Sequence, residues 1–330
     1  MSRFTSSRQF AATAALCAAV LATGACAADV ARDYPSRPIR FVIPVAPGGG
    51  TDYVARLMAQ MVGEKWGQTI VPDNRPGATG LIGMKLATDA PADGYTAIVF
   101  NIGHLMSTAL AKNSTVDTAR DLIPVSLIAT GTLMLAVPPS LPVGNVTEFI
   151  AYAKAHPGRL NYASGGPGGT QHLAMELLKR EAHIDLTHVP YKGSGPGTFA
   201  LLSGQVEAFI TNILALYPHV KAGKLRALAV ANLKRNALLP EVPTFAEAGY
   251  PGVEVNLWQG IMVPVHTPRA IVNKLSRAIV EAVHTPEAAE KLATQGAEPA
   301  GTSPREFADF LQSERSKWLA LVKDAHITVD

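Results

Sequence analysis

Apolar residues along the chain fall into two alternating patterns: short continuous runs, and longer stretches in which they recur every three or four positions. The first run, "IRFVIPV" (Ile39 to Val45), reads as a buried strand, and Val54, Leu57, Met58 and Met61 beyond it keep helical spacing. "TIVPD", a helical "GLIGMKLATDA", "YTAIVFN" and a short helix near His104 to Ala111 follow. Such alternation predicts an α/β protein with a mainly parallel sheet covered by helices on both faces. "LIPVSLIATGTLMLAVP" (Leu122 to Pro138) then runs longer than one buried strand usually does, with Gly131 in its middle. That length suits a segment taking the chain from one domain to another.

A second series begins with the helix "VTEFIAYAKAHPG" and the strand "RLNYAS". It continues through the helix "TQHLAMELLKREA", the strand "LTHVPYKG", the helix "PGTFALLSGQ", the strand "VEAFITN", the helix "ALYPHVKAGK" and the strand "LRALAVAN". A Pro/Gly-rich segment from Leu239 to Gly252 precedes "LWQGIMVP", after which amphipathic helices fill most of residues 268 to 326. With few strands left, these helices are expected to complete an earlier sheet rather than build a third domain.

One local pattern occurs twice. "PVAPGGGTD" and "YASGGPGGTQ" each put flexible glycines between a strand and a helix. The first N–H groups of a helix lack internal partners, and a loop without Cβ atoms lets a ligand approach the main chain. A helix start favours an anion, so two of them facing one cleft could hold a carboxylate. Two ordinary tight turns would leave the same trace in sequence.

The 330 residues, 48% hydrophobic, suffice for two domains with a core. Arg3 and Arg8, an apolar run from Phe10 to Val20, and small residues ending at Ala27 read as a secretory signal over residues 1–27, cleaved after Ala27. The alternative, a lipoprotein with Cys26 as the lipidated residue, lacks the usual leucine three positions upstream. Cleavage would remove both cysteines, Cys17 and Cys26, excluding disulfides and thiol chemistry. It would leave 27 basic against 26 acidic side chains, a formal charge of +1 that gives no reason to expect nucleic acid. Later stretches lack the eighteen or so uninterrupted apolar residues of a membrane span, so a soluble, exported protein is expected.

"YPSRPIRFVIPVAPGGGTD", "NRPGATGLIG", "DGYT", "SGGPGGTQHLA", "VPYKG", "PHVKAGKLRALAV" and "PEVPTFAEAGYPG" occur in this order over nearly all of the expected mature chain. Together they resemble the Bug family of extracytoplasmic solute receptors, the binding-protein component of tripartite tricarboxylate transporters. "VPYKG" and "KAGKLRALAV" are the specific signatures. The resemblance implies a two-lobed type II periplasmic binding-protein fold, with a small organic acid held between lobes partly by main-chain groups of the two loops. Lobe 1 would comprise residues 28–128 and 232–330, and lobe 2 residues 129–231. The implied ligand-binding positions are Pro47, Gly48, Gly49, Gly50, Thr51 and Asp52 in the first loop, with Asn101 and His104 at another loop end of that lobe. In the second lobe they are Ser164, Gly165, Gly166, Gly168, Gly169, Thr170 and His172, then Tyr191 and Lys192 with Gly193 at the cleft edge, and Asn212. Thr211-Asn212 departs from the family's frequent Asp-Asn, which argues against a ligand carrying an ammonium.

Several residues admit a plainer reading. Asp52 could satisfy backbone N–H groups rather than touch ligand, and Thr51 could simply cap its helix. His172 and Glu176 share a helical face without a third metal ligand. Lys192 fits either a cleft mouth or a solvated turn, and Trp258 either an apolar ligand or the core. Neither Ser194 nor Ser164 has the Gly-x-Ser-x-Gly spacing of a nucleophile elbow, and no phosphate-binding P-loop occurs. "GPGTFA" fits a loose dinucleotide fingerprint, but the segment before it belongs to the "VPYKG" strand. The expected protein is therefore a monomeric receptor and not an enzyme. It has no cofactor or metal, and it delivers its ligand to the membrane subunits of a transporter. A signalling accessory using the same cleft to address a membrane sensor kinase is the alternative, and an exported hydrolase is a third. The ligand could be a dicarboxylate, tricarboxylate, aromatic or pyridine carboxylate, or acidic amino acid.

Overall fold

The computed structural model describes residues 32–110, 115–191 and 193–324, so the expected signal over residues 1–27 lies outside the described residues. In chain order, β1 (Ile39–Ile43), α1 (Gly50–Trp66), β2 (Ile70–Asn74), α2 (Leu81–Thr88), β3 (Thr96–Asn101), α3 (Ile102–Leu110) and the one-turn α4 (Thr118–Asp121) lead into a long β4 (Leu122–Val137). The next series is α5 (Val146–Ala155), β5 (Asn161–Ser164), α6 (Thr170–Ala182), β6 (Thr187–Pro190), α7 (Ser194–Leu202), β7 (Ala208–Asn212), α8 (Ile213–Lys221) and β8 (Arg226–Val230). The chain ends with β9 (Asn256–Pro264), α9 (Arg269–Val283), α10 (Pro286–Ala293), β10 (Ala297–Pro299) and α11 (Pro304–Asp324).

Two groups of strands meet in β4. Its first part, Leu122 to Thr132, pairs antiparallel with β9, which in turn pairs antiparallel with β3, while β1 joins β3 and β2 in parallel. From Leu133 onward β4 pairs antiparallel with β7 and β8, and β5 lies parallel to both β7 and β6. Two antiparallel steps make β3 parallel to β4, whereas β7 opposes it. The carboxyl ends of β1 and β3 therefore point toward those of β5, β6 and β7, and the loops beyond them face each other. Asn101 at the end of β3 lies level with Ala129 through Gln259, and Asn212 at the end of β7 lies level with Leu133. Four residues of strand separate these levels by about 13 Å.

Ligands in open α/β sheets sit outside the carboxyl ends of strands, and burial here keeps that edge in place. β1 is apolar except at Arg40, which pairs with Asp73, because both faces are covered: Ile39 and Phe41 pack with α1 and α9 residues such as Met58 and Leu275, while Val42 packs with Met84 and Ile98. Trp258 is fully buried, edge-on to Phe307 and Phe310, so its core reading holds. Its indole N–H donates to Glu314 Oε2 at 2.9 Å, and the Trp318 indole donates to the same oxygen at 2.9 Å. The bond from Trp258 in β9 fastens α11 onto the first sheet, and that from Trp318, within α11, holds the Glu314 carboxylate in place.

The connection from β8 to β9 crosses beside β4. The Ala231 N–H donates to Leu133 O, and the Asn232 amide donates to Gly131 O at 3.3 Å and to Asn256 Oδ1 at 2.9 Å. β10 adds to β4 at Gly131, directly next to this crossing. Both passages between the sheets thus lie together.

Candidate functional site

The loop after β1 is organised by the third residue of α1. Asp52 is buried, and its Oδ2 accepts the Gly48 N–H at 3.0 Å. Arg56 Nε donates to both carboxylate oxygens at 3.0 Å, and the Asn74 amide donates to Oδ1 at 2.8 Å. Burial by itself would raise the carboxyl pKa, but the bonds from Arg56, Gly48 and Asn74 outweigh it and hold the pKa below the usual carboxylate range. Asp52 therefore has the structural role the sequence allowed. Pro47, Gly48, Gly49 and Gly50 stand exposed above it.

The end of β3 supports the same loop. Asn101 Oδ1 caps α3 by accepting the His104 N–H at 3.1 Å, while its amide donates to Thr51 Oγ1 at 3.1 Å. His104 is buried, with Nδ1 accepting the Asn101 N–H at 3.2 Å and a further bond to the Pro44 carbonyl. Burial pushes its pKa down to about 4, with the Pro44 bond opposing, so the ring is neutral and lies beneath the loop. Gly80 packs against this ring: a Cβ there would sit 2.5 Å from His104 Cδ2, and its φ of +93° favours glycine.

In the other lobe Ser164 is fully buried at the end of β5. Its hydroxyl meets His188 Nε2 at 2.6 Å and accepts the Gly166 N–H at 3.1 Å. The Gly168 N–H donates to His172 Nδ1 at 3.0 Å, and Gly169 donates to Gly166 O. The Tyr191 N–H donates to Ser164 O, tying the β6–α7 loop alongside. His172 and His188 stack at 4.0 Å with planes 7° apart, and Tyr162 lies beyond His188 at 5.0 Å. Burial, then the neighbouring His188 and Lys179, drive the His172 pKa down to about 4 against the pull of Glu176. The Glu176 carboxylate is taken by the Tyr162 hydroxyl at 2.6 Å and Lys179 at 2.7 Å. No group of three metal-ligating side chains occurs among the described residues.

The N–H groups of Gly48 in the first loop and of Gly166, Gly168 and Gly169 in the second are thus spent within the loops, and further donors stand at the helix starts. α1 and α6 begin after Gly49 and Gly169, both extended, and neither has a side-chain cap; Tyr53 and Leu173 are the first residues to bond back. Gly80 before α2 and Gly193 before α7 likewise give no cap. Asn101 and Asn212 do cap α3 and α8 at this edge, as Asp117, Asn145, Thr285 and Ser303 cap their helices away from it, and among the described residues only α9 is uncapped away from this edge. Main-chain donors at Gly50, Thr51 and Asp52, and at Thr170, Gln171 and His172, are thereby left for an outside acceptor.

Asn212 lies deeper, where its Oδ1 caps α8 through the Leu214 N–H at 2.8 Å and its amide reaches Gln295 O at 3.4 Å on the other side of the crossing. Lys192 lies outside the described residues. A polar trio absent from the sequence reading links three segments: the Gln171 amide donates to Ser194 Oγ at 2.8 Å and Thr211 Oγ1 at 3.4 Å, and Thr211 Oγ1 donates to Ser194 Oγ at 3.2 Å. Arg56, Asn74, Gly80 and His188 were also missed. Local signals existed for some of them: Gln171 lies between two chosen residues, Asn74 and Gly80 fall inside "NRPGATGLIG", and Thr211 stood out as a departure from Asp-Asn.

The profile of the tripartite tricarboxylate transporter family receptor matches residues 54–327. BugT of Bordetella pertussis is 36% identical over 307 residues, covering 92% of this chain and 94% of that protein. Rpa4515 of R. palustris, solved with adipate, is 38% identical with a TM-score of 0.80 over 90% of this chain and 99% of that one. MatC from Rhodopseudomonas palustris, solved with bound malate, is 33% identical with a TM-score of 0.76 over 88% of this chain and 100% of its own. The structural neighbours have the two-lobed periplasmic binding-protein fold, and this chain shares it.

Proposed function

The chain belongs to the tripartite tricarboxylate transporter receptor family, the Bug proteins, and from that membership we propose that it captures a small organic carboxylate between its lobes and presents it to a membrane transporter. The observation that carries this reading is the pair of uncapped helix starts, α1 and α6, on loops that face each other. A carboxylate there accepts main-chain N–H bonds and meets two positive dipole ends, each contributing about 0.3–1 kcal/mol when exposed and up to about 2 when partly buried. The ligand contacts both lobes only when they are closed, and that difference in contact shifts the population by hinge movement.

The remote end of the ligand is a second carboxylate or a hydroxyl rather than an ammonium. The only carboxylate at the first loop, Asp52, is already paired with Arg56, and Thr211 with Gln171 and Ser194 offers neutral donors and acceptors. Relatives that hold adipate and malate fit this class. Lobe 1 is taken as residues 28–128 with 232–330 and lobe 2 as residues 129–231, and the hinge lies four residues beyond that boundary, near Thr132 and Leu133, where β4 changes partners. A leader cleaved after Ala27, a monomeric mature form and a binding rather than catalytic role complete the reading.

Native mass spectrometry of the mature protein as purified, followed by calorimetric titration of stripped protein with adipate and malate, tests the proposal. Dissociation constants near micromolar, about −8 kcal/mol, are expected for at least one dicarboxylate. Folded protein that binds neither acid and carries no organic acid from the cell would overturn it.

A further inference from the structure

We propose that Asp52 and His172 are equivalent positioning residues, one per lobe, each latching the glycine that precedes a helix N-cap so that the free N–H groups of that helix point at the ligand. The inference rests on the carboxylate reading above. Its basis is a correspondence of backbone and bonding between two loops of different sequence. Gly48 and Gly168 both have positive φ, +91° and +69°, and each is followed by an extended glycine N-cap. Asp52 and His172 are each the third residue of the helix, and each accepts the N–H of the glycine four positions back, at 3.0 Å. Ordinary capping works the other way round, with the N-cap side chain reaching forward. Here a forward-reaching cap would consume a donor needed by the anion. A latch from behind fixes the loop and leaves those donors free.

The two acceptors differ in charge, and their surroundings account for it. A carboxylate beside an anion site is tolerable in the first lobe because Arg56 and Asn74 hold it. In the second lobe the latch is an uncharged imidazole. The titratable and charged groups around His172 are His188 from β6, Tyr162 from β5, and Glu176 and Lys179 from its own helix. Glu176 and Lys179 pair with each other, so neither is left to stabilise an imidazolium alone. A proton added at Nδ1 would turn the acceptor toward Gly168 into a donor and set a cation against the His188 ring. His188 holds Ser164, and through it Gly166, so both fastenings of the second loop pass through this stack. Acid opens the imidazole latch while the Asp52 latch, kept ionised by its partners, stays closed.

The test follows the Gly168 amide by NMR in ¹⁵N-labelled protein, beside calorimetry with adipate, for the wild type, His172→Asn and His172→Leu. Asparagine presents an acceptor near the Nδ1 position and does not titrate. At pH 7, His172→Asn should keep Gly168 protected from exchange and bind adipate within about threefold of wild type, whereas His172→Leu should lose the protection and at least about tenfold in affinity. Between pH 7 and 4 the wild type should lose Gly168 protection and His172→Asn should retain it. Protection of Gly168 in folded His172→Leu, or an acid loss in His172→Asn matching wild type, overturns the latch. If the leucine variant does not fold, the asparagine comparison decides alone. The expected Gly168 pattern without adipate or malate binding would instead remove the carboxylate reading and leave the latch as a structural device.

Discussion

Gly49 and Gly80 show two different reasons for a glycine. Gly49 has a φ of −87°, open to any residue, and a Cβ there meets nothing within 4 Å. Its small size serves what enters the loop. Gly49→Leu should therefore leave the thermal midpoint unchanged and weaken carboxylate binding at least about tenfold, near 1.4 kcal/mol, read by calorimetry. Gly80 serves the fold: Gly80→Ala forces a residue into positive φ and displaces His104, so it should cost about 1–3 kcal/mol in denaturant unfolding. The glycine loops themselves were legible in sequence because the residue type announces the backbone. The latches were not, since nothing in the letters says that Asp52 turns back to Gly48 or that His172 stacks on His188. Gln171, Ser194 and Thr211 meet only after three strands have been paired, which places their contact beyond any local pattern.

At the scale of elements, the alternation of strands and helices was readable because strands buried on both faces appear as unbroken apolar runs, but the runs do not give pairing direction: the sheet expected to be mainly parallel is mixed, since β4 and β9 pair antiparallel with their neighbours. β10 left no such trace: Ala297 to Pro299 has three residues, and its place is set by pairing with β4 at Gly131. Trp258 kept two readings open in sequence because an indole suits both core and ligand. Its N–H bond to Glu314, shared with Trp318, gives it a structural task. Trp258→Phe takes one donor from a buried carboxylate and should lower stability by about 1–3 kcal/mol. Adipate affinity should stay within error of wild type, since this side chain faces α11. A large affinity loss with unchanged stability would return Trp258 to the cleft.

For the molecule as a whole, two buried neutral imidazoles make stability depend on pH. His104 and His172 each fall from the ordinary 6.5 to about 4 on folding. Between these values the unfolded chain binds the protons that the folded chain refuses, so their contribution to stability is level above pH 6.5 and declines as pH falls toward 4. For the fully enclosed His104 the decline is about 3 kcal/mol. Urea unfolding at pH 7 and pH 4.5 should show it, and His172→Asn should remove part of the slope.

One consequence concerns the independence of the two halves. Because a single strand, β4, supplies ladder partners to both sheets, neither half owns a complete hydrogen-bonded framework. Melting either one strips a row of N–H and C=O groups from the other, so the protein should come apart as one cooperative unit, with a ratio of calorimetric to van't Hoff enthalpy of about one. A polypeptide cut between the sheets would leave each fragment with a torn edge. Stickiness, aggregation and a need for its missing counterpart are the properties to expect of either piece made alone.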